Sequence, residues 1–147
     1  MGINVLITGG AGFIGQKLSH ALTADGIKVR ILDNFNPQIH AGNQLPMSLA
    51  NEVDLIVADV RDRDAMKLAL VGVDAVVHLA AETGTGQSMY EIERYFSVNV
   101  QGTATLLDLL QNDACGKNVR SIIVASSRAI YGEGAYQCTL HGSVYPG

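Results

Sequence analysis

Two hydrophobic patterns alternate along the chain. Short, nearly unbroken aliphatic runs occur at residues 4–8 (NVLIT), 28–33 (KVRILD), 54–58 (DLIVA), 74–81 (DAVVHLAA) and 120–125 (RSIIVA). Runs of that length fit strands covered on both faces, as in a parallel sheet. Between them, apolar residues recur at three- and four-residue spacing. Residues 12–25 carry Phe13, Ile14, Leu18, Ala21 and Leu22, with Gly26 placed to end a helix. Residues 62–71 carry Ala65, Met66, Ala69 and Leu70 behind Asp62, a suitable N-terminal cap. A longer helix is predicted over 90–111. Strands alternating with helices call for an α/β fold, a doubly wound parallel sheet with right-handed crossovers. We expect strand order 3-2-1-4-5, with a ligand across the carboxyl ends of the strands. The length of 147 residues fits one domain. Residues 34–51 hold two prolines and little periodicity; a loop this long borders a site or is a solvated insert with a short helix. The pattern fades after Gly132, so 133–147 is expected to be irregular.

The first run breaks into VLITGGAGFIG, with glycines at Gly9, Gly10, Gly12 and Gly15. A strand, a tight turn and a helix start in that order bring backbone N–H groups and the positive end of a helix dipole to a pyrophosphate. Gly9 serves the turn, Gly12 leaves space for phosphates, and Gly15 lets helix and strand pack closely. The second run ends in Asp33, at the distance where a carboxylate takes the adenosine ribose hydroxyls. No Lys-Ser/Thr pair follows the glycines, so the turn is not that of a nucleoside triphosphatase.

Composition narrows the partners. Net charge is −4, which argues against nucleic acid or an anionic membrane surface. No apolar run approaches the roughly 20 residues of a membrane helix, and the start MGINVLITGG enters a core strand directly, leaving no signal peptide to expect. Cys115 and Cys138 give no disulfide framework. A cytoplasmic protein is expected. Cys138 and His141 have the CxxH spacing of half a zinc site, but no second pair follows. A solvated loop and no metal are therefore expected. His78, alone in an apolar strand, reads as a satisfied core histidine.

These motifs together resemble the N-terminal half of the extended short-chain dehydrogenase/reductases, in the branch of the NAD-dependent epimerase/dehydratase family that acts on sugar nucleotides. The resemblance rests on TGGAGFIG at Thr8–Gly15, Asp33-Asn34, Asp59-Val60, His78-Leu79-Ala80-Ala81, Asn99-Val100-Gln101-Gly102-Thr103, and Ser126-Ser127 followed by Tyr131-Gly132. It implies a Rossmann-type fold and NAD as cofactor. The N–H groups of Phe13 and Ile14 would hold the pyrophosphate, and Asp33 the ribose hydroxyls, disfavouring a 2′-phosphate and hence NADP. Arg30 is expected to point elsewhere. Asp59 would meet the adenine amine, with Val60 against the ring. Leu79, Ala80 and Ala81 would pass under the nicotinamide ribose, and Asn99 would fix its helix against the fourth strand. Ser127 would hydrogen-bond the reacting sugar oxygen.

The family's catalytic Tyr-x-x-x-Lys has no counterpart in these 147 residues; the last lysine is Lys117. The resemblance therefore implies an NAD-binding portion that is inactive by itself, cut before the catalytic helix and the substrate domain. Intact relatives would remove and return a hydride at a carbon of a nucleotide sugar. A non-catalytic dinucleotide-binding regulatory module, and a reductase of the same superfamily acting on a non-sugar carbonyl, stay open. Self-association is expected through the edge left at the fifth strand.

Overall fold

The computed structural model describes residues 2–40, 44–132 and 134–145. Five parallel strands form one sheet in the order β3-β2-β1-β4-β5: β1 (Asn4–Thr8), β2 (Lys28–Asp33), β3 (Val53–Val57), β4 (Ala75–His78) and β5 (Ser121–Val124). Helices α1 (Phe13–Ala24), α2 (Met47–Ala50), α3 (Arg63–Leu70), α4 (Thr85–Ser88), α5 (Ile92–Tyr95) and α6 (Thr103–Asn112) connect them. The Rossmann-type arrangement and strand order expected from the alternating pattern are both present.

Alternation along the central strands builds two cores. Leu6, Leu32 and Val76 point to one face, where Met66, Ala69 and Leu70 of α3 and Leu106 and Leu109 of α6 cover them. Val5, Ile7, Val29 and Ile31 point to the other, against Leu49 of α2, with Leu18 and Leu22 of α1 packed on that cluster. Asp62 caps α3 as expected, accepting from the N–H groups of Asp64 and Ala65. At the other end of α3, Arg30 donates to the carbonyls of Ala69 and Val71 at 2.9 and 2.8 Å and pairs with Asp54 at 2.6 Å.

Several boundaries differ from the sequence expectations, each for a local reason. Strand β4 stops at His78 rather than Ala81. Its neighbour β1 ends at Thr8, where Gly9 turns away with φ +68°, so residues 79–81 lose a pairing partner and cross the glycine turn. Strand β3 lies one residue earlier than expected. Phe13, Ile14 and Ala21 are exposed, the first two by 82% and 63%; the buried positions of α1 are Gly15 and Ser19. The long helix begins at Ile92, and its middle, Phe96–Gly102, is π-helical. Within the loop 34–51 the short helix α2 forms; residues 41–43 lie outside the described residues.

The expectation of irregular structure over 133–147 is corrected. Residues 133, 146 and 147 lie outside the described residues, but β6 (Tyr136–Cys138) and β7 (Gly142–Val144) pair antiparallel as a separate hairpin. Strands of three residues are too short to show a hydrophobic period.

Candidate functional site

The carboxyl ends of β1, β2 and β4 meet at the glycine turn. Gly9 bridges them: its N–H donates to the Leu32 carbonyl at 2.8 Å, and a Cβ on it would lie 2.7 Å from Ala80 N. Its positive φ and that close approach both require glycine. A Cβ on Gly15 would lie 2.5 Å from Gly10 Cα, so α1 can start this close to the turn only without one. Gly12 is the N-cap of α1. No side chain caps that end, and no acid occupies its first turn. The first amides of the helix, at Phe13, Ile14 and Gly15, have no intrahelical acceptor. They form a donor cluster with the positive end of the helix dipole behind it.

Asp33 stands beside this cluster, 6% exposed. Its Oδ2 accepts from Ala11 N at 3.0 Å and its Oδ1 from Phe35 N at 2.9 Å; His40 Nε2 lies 3.4 Å from Oδ1. An ionised carboxylate has about four acceptor positions, so these two amide bonds leave room for further donors. The second bond holds Phe35 in the left-handed region at φ +50°. That is a strained conformation for a bulky residue, sustained by burial of its ring to 2% exposure and by a tilted contact with His40 at 5.2 Å. An open depression of about 340 Å³ follows, lined by Ala11, Gly12, Phe13, Gln16, Lys17 and His40 among others.

Asp59 and Val60 sit differently from expectation. The Asp59 carboxylate accepts from Arg61 N, Nε and Nη2 at 2.8–2.9 Å and from Asn34 Nδ2 at 3.1 Å. The Arg61 guanidinium, with these amide donors, holds its pKa down to about 2. All its acceptor positions are occupied, so an adenine amine would have to displace a donor such as Asn34, whose bond at 3.1 Å is the longest of the four. Val60 is 4% exposed and packs in the core. Its Cγ2 takes the space beside Gly102, where a Cβ would come within 2.7 Å. The expected ring contact through its side chain is thus corrected: that side chain is packed in the core.

Residues 79–81 cross the glycine turn. Leu79 N donates to Thr8 O at 3.0 Å, and Ala80 N lies 3.4 Å from Thr8 Oγ1. Asn99 clamps the next residue with both arms of its amide: Oδ1 accepts from Glu82 N at 2.7 Å, and Nδ2 donates to Glu82 O at 3.1 Å. This fixes the helix against the end of β4. His78 is 3% exposed and satisfied on both nitrogens. Thr103 Oγ1 donates to the Asn99 carbonyl at 2.7 Å, so it accepts from His78 Nε2–H at 3.0 Å. Nδ1 is then the acceptor for the Thr8 hydroxyl at 2.6 Å. The ring is neutral, and burial lowers its pKa.

Sequence reasoning missed a polar bridge over the groove. The Glu82 carboxylate, with its side chain 8% exposed, accepts from Arg94 Nη2 at 3.0 Å and from Asn36 Nδ2 at 3.1 Å. It thereby ties the loop after β2 to the loop after β4. One cue was available: an acid directly after the small-residue run Ala80-Ala81. Ser127 closes β5 at the same end of the sheet, and its Oγ accepts from Ala129 N at 3.1 Å, capping a 3₁₀ turn. Cys138 and His141 lie on the separate hairpin, and among the described residues no three His, Cys, Asp or Glu side chains converge as a metal site. No described helix is long and apolar enough to cross a membrane.

Comparison with known proteins agrees with this geometry. The chain is 45% identical over 148 aligned residues to the dTDP-L-rhamnose 4-epimerase of Burkholderia thailandensis, covering 99% of this chain and 40% of that protein. It is 33% identical to the UDP-glucose 4-epimerase of Neisseria meningitidis, covering 88% and 38%. Among solved structures, a UDP-N-acetylglucosamine 4-epimerase from Methanobrevibacter ruminantium superposes with TM-score 0.73 at 34% identity, over 91% of this chain and 41% of that one. A UDP-glucose 4-epimerase from Stenotrophomonas maltophila, crystallised with NAD and formylated UDP-arabinopyranose, superposes with TM-score 0.72 at 30% identity, over 88% and 38%. The chain thus spans about two fifths of the length of these relatives. The family model for NAD dependent epimerases/dehydratases matches residues 5–146, and with the glycine turn, the Asp33 carboxylate and the sheet order already in place, the chain belongs to that family.

Proposed function

We propose that this chain is the NAD-binding part of a nucleotide-sugar epimerase. One observation carries the reading: the Asp33 carboxylate is held against the uncapped start of α1 by the Ala11 amide. The residues fit the cofactor. The N–H groups of Phe13 and Ile14 offer donors to a pyrophosphate, with Gly9 and Gly12 lacking a Cβ on that side. The acceptor positions left on Asp33 suit the two hydroxyls of a ribose, and its charge repels a 2′-phosphate. Arg30, committed to Asp54 and the end of α3, does not offset that charge. Asn34 and Asp59 border the adenine end. Leu79, Ala80 and Ala81 present small or inward-packed side chains to the nicotinamide end, held in place by Asn99.

Bound NAD supplies a hydride acceptor. What these residues contribute is binding and orientation. Ser127 Oγ accepts a backbone N–H and keeps its own proton to donate to a sugar oxygen. No Tyr-x-x-x-Lys is present in the 147 residues, so binding without turnover is the expected behaviour of this chain, in a cytoplasmic setting that suits its two free cysteines.

Calorimetric titration with NAD and NADP tests the reading. NAD should bind at least tenfold more tightly than NADP. D33N, which keeps the shape but removes the charge, should weaken NAD by about tenfold or more, since each hydrogen bond to a charged group contributes about 1.5–3 kcal/mol. Equal affinity for the two cofactors, or an unaffected D33N, would refute the assignment. Epimerase turnover by the 147-residue chain would refute its inactivity.

A further inference from the structure

The loops after β2 and β4 flank the carboxyl end of β1, and two side-chain bridges join them there. In the first, Asn36 Nδ2 donates to the Glu82 carboxylate at 3.1 Å, and Arg94 Nη2 donates to both of its oxygens at 3.0 Å. In the second, the amides of Gln38 and Gln87 pair reciprocally. Each Nε2 donates to the other's Oε1, the bond from Gln87 at 3.1 Å. The partners are 46 and 49 residues apart in sequence. They meet because the sheet order sets β2 and β4 on either side of β1.

The two ends of these bridges are held unequally. On the β4 side, Asn99 clamps both backbone atoms of Glu82, and Tyr95 Oη donates to the Thr83 carbonyl at 2.8 Å. Gln87 Nε2 also donates to Glu91 at 2.8 Å. This side is a fixed post. On the β2 side the bridges end in the side chains of Asn36 and Gln38. Among the described residues, no backbone hydrogen bond joins the two loops. Asn36 and Gln38 can therefore swing away while Arg94 keeps the Glu82 charge paired, so opening leaves no buried ion alone.

A dinucleotide bound as proposed above follows the same line. Its ribose end lies at Asp33, just before Asn36. Its pyrophosphate lies at the glycine turn that follows β1. Its nicotinamide end lies along 79–81, just before Glu82. Cofactor and bridges thus span the same strand ends, so the cofactor passes between the turn and the bridges or the bridges give way to it. We propose that the two bridges form a latch that recloses over the bound cofactor and gates its entry and exit. This inference rests on the NAD-binding reading. A gate raises the barrier of the path without changing its end states, so it slows both directions alike and leaves affinity nearly unchanged.

Stopped-flow mixing of the whole 147-residue protein with NADH tests this, with cofactor fluorescence reporting association and a chase of excess NAD reporting dissociation. N36A/Q38A removes both bridges and leaves Glu82 paired with Arg94. It should speed association and dissociation each by about tenfold or more. Q38A alone, at an exposed position, should speed both by about threefold or more, and it carries the test if N36A/Q38A fails to fold. A smaller rise in either rate overturns the gate. Faster dissociation alone would make these side chains contacts of the bound cofactor, and faster association alone would mean that the cofactor displaces the bridges. A parent that binds neither NADH nor NAD overturns the NAD-binding reading and the gate with it. A parent that binds, but exchanges cofactor as fast as its variants, overturns the gate alone.

Discussion

The two threonines around His78 decide its protonation more firmly than any charge does. The Thr103 hydroxyl is spent on the Asn99 carbonyl, so it can only accept from Nε2–H, and Nδ1 is left to accept from Thr8. A second ring proton would break the Thr8 bond and put a charge in a site 3% exposed. The pKa is lowered in the folded state by burial. Between that lowered value and the ordinary imidazole value of 6.5, the unfolded chain binds more protons. Stability is therefore greatest above 6.5 and falls as pH drops through this window. Urea unfolding at pH 7.5 and 5.5 should show this loss, and H78Q should reduce it while costing about 1–3 kcal/mol at pH 7.5 through unsatisfied hydroxyls. An unchanged pH slope in H78Q would show that other histidines carry it. The burial of His78 was legible from its place in an aliphatic run. Its partners were not, because Thr8 and Thr103 are distant in sequence. Asp33 was legible for the opposite reason: chain geometry fixes how far the end of the second strand lies from the first turn. Asp59 was half legible. Its position follows from the strand pattern, but the arginine two residues on that fills its acceptor positions looks in sequence like an ordinary surface charge.

At the scale of elements, the least legible stretch is 90–111, which the apolar spacing predicts as one helix. The structure forms it as α5, a π segment and α6 in unbroken succession, with the separate turn α4 before it. The physical cause is a competition for backbone position. Gly102 must approach Val60 closely, while Asn99 must reach both backbone atoms of Glu82. A π turn inserts the extra residue that lets one helix do both. Hydrophobic periodicity carries no sign of this, since the added residue changes phase by less than the width of the apolar stripe. Asn99 is accordingly the residue on which the element depends. N99A leaves a partly buried N–H and C=O at Glu82 without their amide partner and should cost about 1–3 kcal/mol of stability. N99D retains the acceptor for Glu82 N but sets a carboxylate against Glu82 O, so it should be no better than N99A. Urea midpoints measure both. NAD affinity should fall in parallel, because Glu82 follows the segment proposed to carry the nicotinamide end. Stability preserved in N99D would show the clamp to be incidental.

For the whole molecule, sheet order follows from connection rules and from the difference between strands. The central strands β1, β2 and β4 bury Leu6, Ile7, Ile31, Leu32 and Val76 to 1% exposure or less, whereas β3 and β5 lie at the margins. The margins are unequal. Strand β3 carries Asp54, paired with Arg30 across the strand neighbour, a charge of the kind that discourages edge pairing. Strand β5 has no such guard. Ile122, Ile123 and Val124 are exposed by 37%, 59% and 47%, and successive exposed side chains point to opposite faces of a sheet. Both faces of this strand are therefore open, and among the described residues no strand pairs with its outer edge. Consecutive exposed aliphatics on an unpaired edge recruit other chains. The purified chain should accordingly associate with rising concentration. I123K should suppress it without changing NAD affinity, since Ile123 lies mid-strand and away from the glycine turn. Light scattering across a concentration series decides: a chain that stays monomeric would refute the association, and an I123K variant that associates as strongly as the parent would place the contact elsewhere than on β5.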